Sequence, residues 1–260
     1  MDKGARPMKT LALRFAAPLQ AWPAHSRGKR RPTRRAPTYS GLSGMSRAAL
    51  GIPRSSNSDP LEASNIVVRV DRVPRVIVDF HSINPISEPS NRFKRERTKT
   101  SQMIKMSGGP YHPTVLTHRE YLTDGVFLCL IESSKQTTSE LEQAFTRPVW
   151  TTYLGRKSCL PGPDLVLGTS SISAAELIKQ VPVVSVGAES SPREVHWLSP
   201  ETSSSNETWI DQPAGLVGTS YRSRQRATSF ENIPSVKSTA SLREWILGNE
   251  SPIKRMNHAH

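Results

Sequence analysis

Positive charge in this chain is concentrated rather than spread, and that limits what the polypeptide can bury. Residues 1–60 carry 12 basic and 2 acidic side chains and residues 92–105 carry 6 and 1, so two segments hold +10 and +5 of a total of +13 over 260 residues. The remainder is near neutral, at −2. Like charges repel when packed together unless a counter-charge arrives, so both segments belong at the surface, and a polyanion is their natural partner. Nucleic acid is the first candidate.

Several other classes drop out. The longest apolar run, Val126 to Ile131, is far short of the roughly 20 residues that cross a bilayer, so no membrane helix is expected. The N-terminus imitates a signal peptide, with Lys3, Arg6 and Lys9 before an apolar stretch. Arg14 interrupts that stretch, however, and Leu11, Leu13 and Phe15 alternate as in a half-buried strand, so it reads as mature sequence. Cys129 and Cys159 lack the close pairing of a zinc ribbon and the density of a secreted scaffold, which points to reduced thiols in a cytoplasmic protein. The length suits one large or two small domains.

In chain order, residues 9–16 read as a strand, and Pro18 and Pro23 end regular structure. Residues 23–39 then form a loop too polar to bury, with Arg27, Lys29, Arg30, Arg31, Arg34 and Arg35 in nine positions. A short helix follows, with Ser40 as N-cap, Leu42, Met45 and Ala49 at helical spacing, and Gly51 as its stop. Gly41 and Gly44 each cost about 1 kcal/mol of helix propensity relative to Ala. Two reasons for them are compatible: close packing against a sheet, or room for phosphate oxygens to reach the free N–H groups of the helix N-terminus.

Residues 66–70 and 75–80 read as β-branched strands joined by a tight turn near Asp71 to Pro74. Residues 82–117 show no sustained period and hold the second basic cluster, Arg92, Lys94, Arg95, Arg97, Lys99 and Lys105, as expected of an arm that orders on nucleic acid. Strands at 119–122 and 126–131 and a helix at 139–145 complete a first domain, residues 1–150. The order fits an α+β, ferredoxin-like fold of the RNA-recognition (RRM) type, with helices on one side of an antiparallel sheet. Residues 151–260 are expected to form a smaller, mainly β domain: a basic turn at 153–159, a strand at 165–167, a helix at 174–179 and linker over 187–207. Trp209, Tyr221, Phe230 and Trp245 would seed its core.

No catalytic signature emerges. The seven histidines make no metal-ligand spacing, and the chain has no Walker loop, nucleophile elbow or paired acidic motif, so no metal or cofactor is expected. A metal-independent ribonuclease using Tyr39, His81 and a lysine would leave no spacing signature and stays open as an alternative.

The motifs also carry a resemblance. Gln20-Ala21-Trp22, Arg31-Pro32-Thr33, Pro37-Thr38-Tyr39-Ser40-Gly41-Leu42 and Ala49-Leu50-Gly51-Ile52 resemble the N-terminal signature of the CasD family, a backbone subunit of type I-E CRISPR Cascade. Asp79-Phe80-His81, Arg119-Glu120-Tyr121-Leu122-Thr123-Asp124, Tyr153-Leu154-Gly155-Arg156-Lys157-Ser158-Cys159 and Leu167-Gly168-Thr169 continue it in family order to about residue 170. Tyr39 stands where a basic residue is frequent in the family. The segment around 85–105 is longer and more basic than is usual there.

The resemblance implies a non-catalytic RNA-binding protein that holds the 5′ handle of the CRISPR RNA (crRNA). It further implies that the protein caps the filament of the CasC backbone subunit, contacts the large subunit CasA and meets target DNA only through the guide. Cleavage of repeat RNA by this chain is the alternative. The proposed RNA-binding residues are Lys29, Arg30, Arg31, Arg34, Arg35, Thr38, Tyr39, Ser40, Gly41, Gly44, His81, Arg119, Tyr153, Arg156 and Lys157. Tyr39 is either a stacking face or an ordinary turn tyrosine, and Arg156 and Lys157 touch RNA or CasC, or form a plain surface turn. The insertion over about 82–117, with Arg92, Lys94, Arg95, Arg97, Lys99 and Lys105, becomes a thumb that crosses the guide.

Overall fold

The computed structural model describes residues 8–24, 29–83, 115–184, 191–198, 207–213, 221–236 and 239–248. Arg27 and the six basic residues expected of the thumb lie outside the described residues.

At the centre stands β8 (Val126–Ser134), flanked by β1 (Met8–Ala16) and β5 (Asn65–Arg72), both antiparallel to it. The apolar run of β8 is buried on both faces, and that forces cover on both sides. On one side Phe127, Cys129 and Ile131 meet Leu11, Leu13, Phe15, Ile66 and Val68, and are roofed by α1 (Tyr39–Leu50) and α2 (Lys135–Thr146) through Leu42, Met45, Leu141 and Phe145. On the other, Leu128 and Leu130 meet Ala12 and Val67 beneath α3 (Ala174–Gln180) and α4 (Thr239–Gly248), which supply Leu177, Ile178, Leu242 and Ile246. The expectation of helices on one side only is therefore corrected. A strand run with no polar alternation cannot leave either face in water.

The sheet continues into the second half of the chain at both edges. β9 (Val166–Ser170) pairs with β1, while β11 (Ser191–Trp197) pairs with β5 and with β13 (Tyr221–Ile233), which carries β12 (Glu207–Pro213). The order is β12-β13-β11-β5-β8-β1-β9, and every pairing is antiparallel. β11 lies within the segment read as linker. Its Ser, Pro and Glu content hid one buried valine, Val195, and a partly buried Trp197, which its neighbours cover. Of the aromatic core expected of the second half, the side chains of Trp209 and Tyr221 lie outside the described residues, Phe230 is corrected to a surface position at 71% exposed, and Trp245 packs, partly buried, against a cluster of aliphatic residues. Dividing the chain into folding units at residue 150 remains a proposal, one that hydrogen bonds across that point make testable by truncation.

The remaining strands leave the large sheet at a corner. β5 turns at Val73–Pro74 into β6 (Arg75–Ile83), and β7 (Val115–Thr123) turns into β8 at Asp124–Gly125, where Asp124 takes a left-handed φ of 60°. β6 and β7 then pair along their whole length, from Arg75 opposite Thr123 to Ile83 opposite Val115. The two strands expected over 66–70 and 75–80, joined by a tight turn, are present as β5 and β6, and they belong to different sheets. β3 (Arg30–Arg31) joins the outer side of β7 in parallel, giving a small sheet in the order β3-β7-β6. Two short pairs complete the structure: β2 (Trp22–Pro23) with β4 (Thr33–Arg34), and β10 (Val183–Val184) with β14 (Ser235–Val236). No helix among the described residues is long and apolar enough to cross a membrane.

Candidate nucleic-acid interface

The arginine-rich segment is not a free loop. The Lys29 carbonyl accepts the His118 N–H at 2.9 Å, and Arg30 and Arg31 follow in register with His118 and Arg119. Thr33 is fixed twice more, its hydroxyl accepting the Trp22 N–H at 2.8 Å and its own N–H donating to Glu120 Oε2 at 3.2 Å. The solvated loop expected over 23–39 is corrected accordingly. Backbone groups satisfy themselves in short ladders, while the side chains of Lys29, Arg30, Arg31 and Arg35 stay exposed. Arg34 is half-buried and within electrostatic reach of the buried Arg226 on β13. The Arg226 pKa is pushed down to about 10, by burial first, with Glu194 opposing and Arg34 reinforcing. Nothing in the sequence signals that encounter, because the two residues are distant along the chain.

Arg156 holds this basic edge in place. Its Nη1 donates to the Glu120 carbonyl and its Nη2 to the Arg31 carbonyl, each at 2.7 Å, and the guanidinium carbon sits 4.7 Å from the centre of the Tyr121 ring. A residue expected to touch RNA or CasC, or to form a plain surface turn, spends one nitrogen on the backbone of β7 and one on that of β3. Next to it, Gly155 has φ 94°, and a Cβ there would fall 1.5 Å from the Ala21 carbonyl oxygen, so only glycine fits. Ala21 in turn donates to the Leu154 carbonyl at 2.9 Å. Gln20 exchanges backbone hydrogen bonds with Leu122, and its side chain donates to the Gly125 carbonyl. The Gln20-Ala21-Trp22 and Tyr153–Cys159 motifs are therefore docked onto each other and onto β7. Within the second, Tyr153 is half-buried and Lys157 exposed.

At the start of α1 the cap is Thr38, two residues before the expected Ser40. Thr38 is extended (φ −107°, ψ 155°), and its hydroxyl accepts the Gly41 N–H at 3.2 Å. That bond removes Gly41 from the N–H groups open to a phosphate. Tyr39 is corrected as well. It is 3% exposed and its hydroxyl donates to Asp59 Oδ2 at 2.8 Å, so its ring packs in the core and offers no stacking face. Asp59, missed in the sequence, also accepts from the Ser43 hydroxyl and the Leu61 N–H. It ties the helix to the strand approach behind it. Gly44 behaves differently: it is exposed, and a Cβ there would meet nothing within 4 Å. Close packing against the sheet is therefore not its reason. Ser40 is half-buried, with its oxygen 3.4 Å from that of Thr38.

The small sheet adds the remaining residues. Asp79 lies opposite Arg119, and His81 opposite Thr117, so Asp79, His81 and Arg119 share one face, with Arg31 beside Arg119 on β3. His81 Nε2 is hydrogen-bonded to Asp79, and Arg119 Nε has no hydrogen-bond partner among the described residues. Each half of the alternative ribonuclease pair thus has its own carboxylate, Asp59 for Tyr39 and Asp79 for His81. Both thiols are pushed up by burial, Cys129 most strongly, so neither is a ready nucleophile. Among the described residues no group of three or more His, Cys, Asp or Glu is placed to hold a metal.

The exposed cations of this region are thus Lys29 to Arg31 with Arg35, on a short strand and the turn that leads towards α1. Comparison with known proteins gives the family. The family described as CRISPR-associated protein (Cas_Cas5) matches residues 10–228. The CRISPR system Cascade subunit CasD of Escherichia coli (strain K12) is 36% identical over 166 residues, covering 63% of this chain and 72% of that protein. A chain of a CRISPR RNA-guided surveillance complex superposes with a TM-score of 0.69 at 25% identity, covering 92% of this chain and 99% of its own. A second solved structure, described as a Cas protein, gives 0.65 at 26% identity, with 88% and 100% covered. The chain therefore belongs to the Cas5 family of CRISPR-associated proteins, the family of the Cascade subunit CasD.

Proposed function

We propose that this chain is the CasD-type subunit of a type I-E CRISPR RNA-guided surveillance complex in the cytoplasm, a non-catalytic RNA-binding and assembly protein. Its partners are crRNA, held by the 5′ handle, the CasC backbone filament, which it caps, and the large subunit CasA. Target DNA reaches it only through the guide. The observation that carries the reading is the exposed cationic strand Lys29-Arg30-Arg31, clipped onto β7 by its backbone so that its cations are held at the sheet edge, Arg31 on the face of Arg119 and Arg30 on the face of His118. An edge of fixed cations can follow a single-stranded backbone without the entropy cost of ordering a free loop. Gly44 and the half-buried Ser40 leave the adjoining helix face open for the same strand. His81 and Arg119 share the face of Arg31, Lys157 is exposed next to the clamping Arg156, and the proposed thumb follows β6 in the chain.

The deciding experiment is co-expression with CasA, CasC and guide RNAs carrying either the natural or a scrambled 5′ handle. The expected result is that this chain purifies with the other subunits and natural-handle RNA, and is lost with the scrambled one. Equal recovery with both would reduce the protein to a general RNA binder. Metal-free cleavage of repeat RNA at a single bond by the isolated chain would overturn the non-catalytic reading.

A further inference from the structure

The small sheet has two faces, and the polar one just described accounts for half of it. Side chains alternate along a strand, so the register of Phe80 with His118 and of Ser82 with Leu116 puts Val78, Phe80, Leu116 and His118 on the opposite face. The parallel pairing of Arg30 with His118 brings Arg30 beside them. On this face Val78 is 60% and Phe80 56% exposed, and the Phe80 and His118 rings lie 5.3 Å apart at an interplanar angle of 63°. The carboxylate on the same face, Glu120, is already engaged by the Thr33 N–H.

We infer that this face is a base-stacking platform, on which Phe80 and His118 receive an unpaired nucleobase of single-stranded RNA while Arg30 lies along the adjoining phosphate. The inference rests on the RNA-binding reading above and deepens it. Three observations favour a base over a protein side chain. The exposed centre is an aromatic pair on a strand, the arrangement that stacks bases on sheet surfaces. Its border on β3 is cationic, Arg30, whereas the centre of a protein interface is depleted of charge. The chain between Ile83 and Val115 carries 6 basic residues against 1 acidic over 92–105, a composition that suits a polyanion better than a protein partner.

The test uses the full chain and oligoribonucleotides of the repeat's 5′ handle with 2-aminopurine at each position in turn. Stacking quenches its fluorescence, so quenching is expected at one or two positions. Phe80→Ala should abolish it and weaken binding roughly five- to hundredfold, the range for loss of one base–aromatic stack. Phe80→Tyr should restore both, and the slope of log affinity against log salt should stay unchanged, because every cation that meets a phosphate is still in place. Phe80 is exposed, so neither variant threatens the fold. Binding with the same quenching in Phe80→Ala as in wild type overturns the platform alone. So does a Phe80→Ala chain that binds RNA normally but loses a protein subunit on co-purification. Failure of the wild-type chain to bind any of the RNAs overturns the RNA-binding reading itself.

Discussion

β5 and β6 are neighbours in sequence and nearly alike in composition, Asn-Ile-Val-Val-Arg-Val-Asp-Arg against Arg-Val-Ile-Val-Asp-Phe-His-Ser-Ile, yet one is sealed in the core and the other faces solvent. β5 lies between β8 and β11 and is roofed from both sides by helices. β6 has passed the corner at Val73–Pro74 and forms the edge of a three-stranded sheet. A β-branched run states that a strand will form; it does not state that anything will cover it. A long apolar edge strand also invites pairing or docking, and that is why the stacking proposal falls on β6 while β5 serves the core.

The largest test of this contrast is Arg69 on β5. Its side chain is 0% exposed, its Nε donates to Asp71 at 2.6 Å, and its Nη1 donates to the carbonyls of Ile178 and Val181 at the end of α3. Arg69→Ala leaves Asp71 nearly buried without its partner, and should cost about 3–5 kcal/mol in chemical denaturation. Next comes the core itself. Ile66→Ala on β5 should cost about 2–4 kcal/mol, whereas Val78→Thr on β6 should stay within about 0.5 kcal/mol, since Val78 is mostly in water. Equal losses at the two positions would erase the distinction.

Smaller effects probe how the exposed sheet is held. Arg156→Ala removes two hydrogen bonds to carbonyls, but the side chain is partly solvated, so the expected loss is only about 1 kcal/mol. Faster amide exchange should appear in β3 and β7, while β5 and β8 keep their protection. The smallest change concerns charge alone. Arg30→Ala or Arg31→Ala, both at exposed positions, should change stability by no more than about 0.5 kcal/mol and flatten the slope of log RNA affinity against log salt by about 0.7 for each phosphate that the removed cation had neutralised. An unchanged slope in both variants would mean that the basic strand is merely solvated.

Much of the large sheet was readable from the sequence because its signals are local. The alternation in β1, the apolar run of β8, the spacing of Leu141 and Phe145 in α2 and the stop at Gly51 each lie within one element. β11 was not readable, since Ser191-Pro192-Arg193-Glu194 carries no apolar pattern and gains its place from β5 and β13 on either side. The site divided in the same way. The basic row was visible as composition, whereas the commitment of Tyr39 to Asp59 and of Arg156 to two distant carbonyls depends on hydrogen bonds between separated parts of the chain.

What the sequence alone determined is the segregation of charge: a +10 segment and a +5 segment cannot be packed away, so any fold must display them. Tertiary structure decided which of those cations are displayed and which are consumed, and which apolar strand is core and which is surface. The physical reason is that charge and periodicity belong to the chain, while cover, hydrogen-bond partners and desolvation belong to the neighbours that folding brings from elsewhere.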